Sequence, residues 1–331
     1  MNSIDFNSKK ILITGGAGFI GSNIAKFIST KFPKSDIYVF DCFRNETKLS
    51  NGNLSSFGHY KNLIDFKGTI ITGNLNNKLD IENLKQYKFD YIFHQAAISD
   101  TRVYDQELIF RTNINSFYDL LDISIESGAV LIYASSASVY GNLPAPQVIG
   151  SESPENPYAY SKYSMDKIAE KFSNKYPELK IIGLRFFNVY GENEYFKNKT
   201  ASMVIQLGHQ IMSGKAPRLF ENSNNIFRDF VYIDDVVDAN IKACSAKRNG
   251  VYNVGSGVAR SFQDISDILQ KELKVDLGNE YFKNPYDGYQ SNTQADISLT
   301  ENFLSYKPKF SLEEGIRKYL PYIEKMYQEE I

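Results

Sequence analysis

The stretch Lys10-Ile11-Leu12-Ile13-Thr14-Gly15-Gly16-Ala17-Gly18-Phe19-Ile20-Gly21 decides the fold. Its apolar, β-branched beginning predicts a buried strand, and its glycines predict a tight turn into a helix. Gly16, Gly18 and Gly21 satisfy the dinucleotide-binding spacing, and Gly15, Gly18 and Gly21 give its one-in-three variant. Glycine is needed there because a Cβ would keep a pyrophosphate away from the backbone N–H groups at the helix N-terminus.

A second apolar run, residues 37–40, follows the predicted helix and ends at Asp41. An acidic residue about 20 positions after the last glycine lies where the adenosine ribose of a bound dinucleotide is held. Asp41 would bond a free ribose 2′-hydroxyl and repel a 2′-phosphate, whereas Arg44 and Lys48 could neutralise that phosphate. The residues therefore predict a nicotinamide dinucleotide and leave NAD and NADP both open.

Apolar strands and helical stretches alternate through the first half of the chain. Further strands are predicted at residues 91–94, 130–134 and 181–185. This alternation predicts an α/β fold with a doubly wound parallel sheet of the Rossmann type. We expect this domain to span residues 1–190, with a segment near 230–260 returning to it. Residues 191–331 are expected to form mainly a smaller substrate-binding lobe.

Tyr158 and Lys162 stand four residues apart in Asn156-Pro157-Tyr158-Ala159-Tyr160-Ser161-Lys162. An isolated phenol, with a pKa of about 10, is a poor base at neutral pH. A lysine one helical turn away lies on the same face and favours the phenolate. Tyr and Lys at this spacing are common in helices, but downstream of a dinucleotide loop they predict proton exchange with a sugar or alcohol hydroxyl while hydride moves.

The composition agrees with a globular enzyme. The 331 residues are 42% hydrophobic and 23% charged, and a net charge of −2 supplies no field to attract nucleic acid or an anionic membrane. Cys42 and Cys244 are too few for a disulfide framework, and the three histidines show no metal-ligand spacing. Because no apolar stretch is long enough to span a bilayer and no signal segment precedes the first strand, we expect a cytoplasmic protein without a metal.

Several motifs make the chain resemble the extended short-chain dehydrogenase/reductase family, which acts on nucleotide sugars. Besides the glycine stretch, they lie at residues 94–97, 135–141, 158–162, 185–191 and 228–236. By this resemblance Ser136 bonds the reacting hydroxyl, Tyr158 is the acid/base and Lys162 holds the nicotinamide ribose. The 4,6-dehydratases of the family carry an acidic pair where Ala137 and Ser138 stand, so elimination of water would lack its proton donor and base.

The second half is similar to the ADP-glyceromanno-heptose 6-epimerases within that family. The telling segments are 197–203 and 217–223. The resemblance implies an isomerase that oxidises C6 to a ketone and reduces it from the other face, for the lipopolysaccharide core. These enzymes use a second acid/base lysine after the Asn-Val-Tyr-Gly motif, and ungapped spacing from Asn188 places it at Lys197, with Lys199 as the alternative.

The resemblance also implies the ligand contacts, a preference for NADP over NAD, and a homo-oligomer, described as a pentamer. The cofactor contacts are Gly15, Gly18, Phe19, Ile20, Gly21, Asp41, Cys42, Lys48, Gln95, Ala96, Ala97, Ile98, Ser99, Asn113, Lys162 and Val189. The substrate contacts are Asn188, Lys199, Gln206, Phe220, Glu221, Asn222, Ser223, Arg228 and Tyr289. The family often has serine in place of Lys199 and histidine in place of Gln206. A guanidinium such as that of Arg228 matches a diphosphate bidentately, although an ion pair with Asp229 or Asp234 is the plainer alternative.

Two rival functions remain open from the residues alone. One is another nucleotide-sugar enzyme, such as a UDP-hexose 4-epimerase or a reductase, and a reductase would consume reduced cofactor stoichiometrically. The other is a non-catalytic protein that senses NAD(P). Such a sensor should lack the reactive side chains, yet Ser136, Tyr158 and Lys162 are all present.

Overall fold

The computed structural model describes residues 4–285 and 290–330. The strands are β1 Lys10–Thr14, β2 Asp36–Asp41, β3 Thr69–Thr72, β4 Tyr91–His94, β5 Val130–Ser136, β6 Ile181–Phe186, β7 Asn188–Tyr190, β8 Arg218–Phe220, β9 Phe227–Tyr232, β10 Gly250–Val254, β11 Ala259–Ser261 and β12 Glu280–Phe282. The α-helices are α1 Phe19–Lys31, α2 Lys78–Lys85, α3 Gln106–Phe110, α4 Ser116–Ser127, α5 Pro157–Lys175, α6 Met203–Met212, α7 Ile233–Ala243, α8 Phe262–Leu273, α9 Ser298–Leu304 and α10 Leu312–Glu330.

A seven-stranded sheet in the order β10-β6-β5-β4-β1-β2-β3 forms the centre of the molecule. All of its neighbouring strands pair in parallel. The chain moves outward from β1 to β2 and β3, then returns to the other side of β1 to add β4, β5 and β6. This confirms the predicted doubly wound sheet, and it creates a reversal of strand order between β1 and β4, where open α/β sheets bind their ligands.

Two hydrophobic clusters cover the two faces of this sheet. In β1, Ile11 and Ile13 belong to one cluster and Leu12 to the other, because successive strand residues point to opposite faces. The first cluster includes residues of α1, α6, α7, α8 and α10, and the second includes residues of α2, α4 and α5. The strands buried on both faces read as continuous apolar runs for this reason.

Smaller sheets carry the second half of the chain. β11, β9 and β7 form one, and β12 pairs with β8 in another. β10 joins the main sheet beside β6, within the segment expected to return there. The domain boundary between residues 190 and 191 stays a prediction. Among the helices of the described ranges, none is long and apolar enough to cross a membrane.

The start of α5 is determined locally. The Asn156 side chain accepts a hydrogen bond from the Ala159 N–H at 2.9 Å, and Pro157 occupies the first helical turn. Asparagine caps helix N-termini well, and proline loses nothing there because its missing N–H would have no intrahelical partner. This cap sets the helical phase in which Tyr158 and Lys162 face the carboxyl end of β5.

Candidate active site

A crevice of about 420 Å³ lies at the reversal of strand order. It is lined by residues at or after the carboxyl ends of β1 to β6 and by the first two turns of α5. The predicted site residues that line it are Gly15, Gly18, Phe19, Ile20, Gly21, Asp41, Cys42, Gln95, Ala96, Ala97, Ile98, Ser99, Ser136, Tyr158, Lys162, Val189 and Lys197. The structure thus brings most of the predicted cofactor and catalytic residues into one space.

The glycine loop has no room for side chains. Gly15 has φ +65°, and a Cβ built on it would lie 2.7 Å from the Ala96 nitrogen. A Cβ on Gly21 would lie 2.3 Å from the Gly15 carbonyl oxygen. Gly18 is the N-cap of α1, so the positive end of that helix opens into the crevice. The loop therefore fits a dinucleotide pyrophosphate, which needs this close backbone approach.

Asp41 is a buried carboxylate at the end of β2. It accepts hydrogen bonds from the Ala17 N–H at 3.0 Å and the Phe43 N–H at 2.8 Å. Burial raises the pKa of Asp41, and these two bonds oppose the rise. The side chain therefore ties the glycine loop to the chain after β2 while it lines the crevice at the position expected for the ribose. Cys42 beside it is exposed.

The Asn113 side chain supports the loop that follows β4. It lies in a π-helical turn, Arg111–Asn115, and is fully buried. Its amide accepts from the Ile98 N–H at 2.9 Å and donates to the Ile98 carbonyl at 3.0 Å and to Ser161 Oγ at 3.0 Å. Asn113 does not line the crevice; it connects the loop after β4 to α5.

The predicted catalytic residues of β5 and α5 lie next to one another. Ser136 neighbours the Tyr158 hydroxyl and opposes the rise that burial causes in its pKa, and Ser136 Oγ accepts from the Ser138 hydroxyl at 2.9 Å. Lys162 Nζ donates to the Ala134 carbonyl at 2.7 Å and lies 5.9 Å from the Tyr158 ring centroid. Burial lowers the pKa of Lys162 to about 8 and raises that of Tyr158. This arrangement can pass a proton between a phenol and a hydroxyl bound beside Ser136.

Of the two candidate lysines, Lys197 lines the crevice. Its Nζ lies 5.5 Å from the Phe19 ring centroid, and burial lowers its pKa, an effect that nearby Glu194 opposes. Lys199 is exposed. Asn198 between them has φ +52°, so the backbone kinks inside the turn Tyr195–Thr200. A lysine with a lowered pKa exchanges protons more readily near neutral pH, which suits an acid/base group.

The predicted substrate residues are not part of the crevice lining. Asn188 and Glu221 are exposed, and Gln206 donates to the Ala201 carbonyl at 2.6 Å. Phe220 packs edge-on against Phe282, with ring centroids 5.0 Å apart. Tyr289 lies outside the described residues.

The remaining predicted contacts show different environments. Lys48 is exposed and lines a separate shallow opening with Arg44. Arg228 is buried and donates to the Phe227 and Gln290 carbonyls at 2.7 and 2.6 Å. Asn222 has φ +60°, and Ser223 next to it is buried. The buried Ser223 hydroxyl has no hydrogen-bond partner within the part of the chain that the structure describes.

Sequence reasoning missed one wall of the crevice and the charged network behind it. The loop from Leu54 to Gly58 lines the crevice, but its residues carry no motif. Arg185 stands in a quoted motif, yet its partner Asp166, at 2.8 Å, had no separate signal. The position of Asp166 one turn after Lys162 on the same helix face is the one clue that the sequence offered.

The His94 side chain connects two strands of the central sheet. Its Nδ1 lies 2.7 Å from Thr14 Oγ1, and burial together with the nearby charge of Lys162 lowers its pKa to about 3. The ring is therefore neutral and joins β4 to β1. No group of three or more His, Cys, Asp or Glu side chains suited to a metal occurs among residues 4–285 and 290–330.

The chain belongs to the NAD dependent epimerase/dehydratase family, whose model matches residues 11–255. It is 37% identical, over 322 residues, to the ADP-L-glycero-D-manno-heptose-6-epimerase of Brachyspira hyodysenteriae (strain ATCC 49526 / WA1), covering 95% of this chain and 98% of that protein. The crystal structure of Helicobacter pylori ADP-L-glycero-D-manno-heptose-6-epimerase superposes with a TM-score of 0.90 at 48% identity, covering 98% of this chain and 99% of that one.

A more distant solved relative is the UDP-glucose 4-epimerase of Thermotoga maritima, determined with UDP-glucose. Its TM-score is 0.84 at 28% identity, and the match covers 96% of this chain and 99% of that one. The heptose epimerases are thus considerably more similar to this chain than this hexose epimerase is. The comparisons confirm the predicted resemblance and the predicted epimerase class.

Proposed function

We propose that this protein is an isomerase that inverts C6 of an ADP-activated manno-heptose, supplying heptose for the lipopolysaccharide core. The observation that carries the proposal is the meeting of two proton-exchanging side chains, Tyr158 and Lys197, in the crevice that holds the glycine loop. A single acid/base group suffices for a one-way oxidation or reduction. Two groups suit an epimerisation, because the reacting oxygen occupies different places before and after the sugar turns.

Each side chain has a distinct part in the reaction. Ser136 bonds the C6 hydroxyl and orients it toward Tyr158, whose pKa the neighbouring Ser136 hydroxyl lowers against the effect of burial. Tyr158 takes the hydroxyl proton as C6 becomes a ketone, and the charge of Lys162 stabilises the phenolate. Acceptance and return of a hydride is the chemistry that a bound nicotinamide would supply there. Rotation about the exocyclic carbon–carbon bond presents the other face of the ketone, and Lys197 then provides the proton to its oxygen.

The cofactor proposed for this site is NADP, with NAD as the alternative. Arg44 and Lys48 follow Asp41 and line one shallow opening, so two cations are available to a 2′-phosphate. The dinucleotide released when the purified protein is denatured identifies the cofactor directly. NADP in that extract is the expected result, and NAD alone would contradict it.

We also propose a cytoplasmic homo-oligomer. The resemblance to the heptose epimerases implies a pentamer, and the mass of the protein in solution tests that number.

The decisive experiment mixes the purified protein with ADP-D-glycero-β-D-manno-heptose, adds no cofactor, and separates the C6 epimers by chromatography. Conversion to a stable mixture is expected, because the retained cofactor is regenerated in each turnover. UDP-glucose serves as the comparison substrate and should be left unchanged. If UDP-glucose were epimerised and the heptose were not, the protein would be a hexose epimerase. If turnover required stoichiometric reduced cofactor, it would be a reductase.

A further inference from the structure

Residues 192–197, here called the lysine segment, are fastened to the dinucleotide-binding half of the molecule. The Asn23 side chain, on α1, donates to the Glu192 carbonyl at 2.9 Å. The Asn193 side chain donates to Ser22 Oγ, also on α1, at 3.1 Å. The helix that begins at the glycine loop therefore holds the start of the lysine segment.

Phe196 holds the end of this segment. The Arg44 guanidinium donates to the Phe196 carbonyl and lies 5.8 Å from the centroid of its ring. His59 stacks on the same ring, with centroids 3.7 Å apart and planes within 5°. The backbone N–H of His59 in turn donates to the Ala17 carbonyl of the glycine loop at 3.0 Å. Phe196, the residue immediately before Lys197, is therefore held by the Arg44 and His59 side chains of the dinucleotide-binding half.

We propose that Arg44 is a positioning residue for Lys197 and acts through Phe196. This inference rests on the proposed function, since it assumes that Lys197 is the second acid/base. Arg44 is bound to the carbonyl that precedes Lys197, so it determines where the lysine backbone lies. A displacement of a reacting group by about 1 Å can cost on the order of 100-fold in rate, so loss of this contact should slow catalysis.

The position of Arg44 also admits a different role, in which it only neutralises a 2′-phosphate of the cofactor. That role predicts weaker cofactor retention and no special connection to Lys197. The contact with the Phe196 carbonyl favours positioning, because it commits part of the guanidinium to the lysine segment. A double-mutant cycle separates the two roles, since residues that act through one another give non-additive effects.

The cycle measures kcat for the holoenzyme, at saturating ADP-heptose, in the wild type, Arg44→Met, Lys197→Met and the double variant. Arg44→Met should lower kcat at least tenfold in the wild-type background and cause no further loss beside Lys197→Met. Arg44→Lys, which keeps a donor for the Phe196 carbonyl, should recover part of the rate. Lys61→Met is the control, because Lys61 is a half-buried cation two residues from His59 that pairs with Glu329 at 2.7 Å. Its turnover should equal that of the wild type.

An equal loss from Arg44→Met in both backgrounds would overturn the positioning role, as would a loss fully explained by a lower bound-cofactor content. Wild-type turnover in Lys197→Met would be a different failure. It would show that Lys197 is not the second acid/base, and the positioning role of Arg44 would fall with that assignment. The two failures are distinguishable because the first leaves Lys197→Met impaired and the second does not.

Discussion

At the scale of single residues, Tyr158 and Lys162 lie one turn apart on α5, with Lys162 Nζ 5.9 Å from the Tyr158 ring centroid, and we expect them to titrate together. Burial lowers the pKa of Lys162 to about 8 and raises that of Tyr158, so we expect the pair to lose its first proton near pH 8. Below that pH the pair holds both protons and the phenolate is scarce. Above it one proton remains, and a phenolate beside an ammonium becomes accessible. We therefore expect the singly protonated pair to be the form that catalyses the reaction.

The rate should therefore depend on pH in a defined direction. We expect kcat of the holoenzyme to rise about tenfold per pH unit and to level off at or below pH 8, because a bound nicotinamide cation can only favour the phenolate further. In Lys162→Met the rise of kcat should extend above pH 10, because burial raises the pKa of Tyr158 and no lysine charge then favours its phenolate. The measurement is the pH profile of kcat, with Lys167→Met, an exposed lysine of the same helix, as the control. An unchanged profile in Lys162→Met would contradict the shared titration.

At the scale of elements, irregular turns between regular strands and helices shape the crevice. The π-helical turn Arg111–Asn115 places Asn113 against the backbone of Ile98, and π-helical turns are frequent at functional sites. The loop after β1 turns at Gly15 and passes so close to Ala96 that the two loops at the reversal of strand order touch. We therefore expect cofactor binding to depend on the backbone contact of these two loops.

Gly15→Ala should lose the cofactor. The new methyl group would meet the Ala96 nitrogen at 2.7 Å, and the φ of +65° adds strain of about 1–2 kcal/mol for a residue with a Cβ. Gly128→Ala is the matched control, because Gly128 has φ +72° but a Cβ added there would meet nothing within 4 Å. The dinucleotide bound per chain should fall sharply in the first variant and stay unchanged in the second. Equal retention in both would show that the close approach is unimportant.

At the scale of the whole molecule, Arg185 joins three separate parts of the chain. It lies on β6 and bonds Asp166 of α5 at 2.8 Å and Glu152, in the loop before that helix, at 2.6 Å. It also donates to the Tyr140 hydroxyl at 3.0 Å. Because Asp166 lies on α5 and Arg185 on β6, the network holds the helix that carries Tyr158 and Lys162 against the sheet.

Arg185→Leu should destabilise the protein by about 3–5 kcal/mol, because it leaves two buried or half-buried carboxylates without their cation. The measurement is the urea concentration at the unfolding midpoint. Arg317→Leu, which removes an exposed pair with Glu272 at 2.9 Å, should leave that midpoint nearly unchanged. Similar midpoints for both variants would mean that the buried network contributes little to stability.

The sequence predicted local features better than long-range ones. The glycine loop and the α5 cap could be read because a strand, a turn and a helix follow one another within a few residues. The loop from Leu54 to Gly58 could not, since only tertiary packing brings it to the crevice. The sequence also could not show which of Lys197 and Lys199 lines the crevice, because that depends on the backbone kink at Asn198.

The fastening of the lysine segment has a consequence for recombination between relatives. Lys197 lies beyond residue 190 in sequence, but Ser22, Asn23 and Arg44 hold its segment. A chimera joined at residue 190 would combine one parent's lysine with the other parent's supports. A junction placed after Ser202, which closes the turn by donating to Glu194 at 2.7 Å, would keep lysine and supports from a single parent. Chimeras designed to exchange nucleotide-sugar specificity between two relatives should therefore be joined after Ser202.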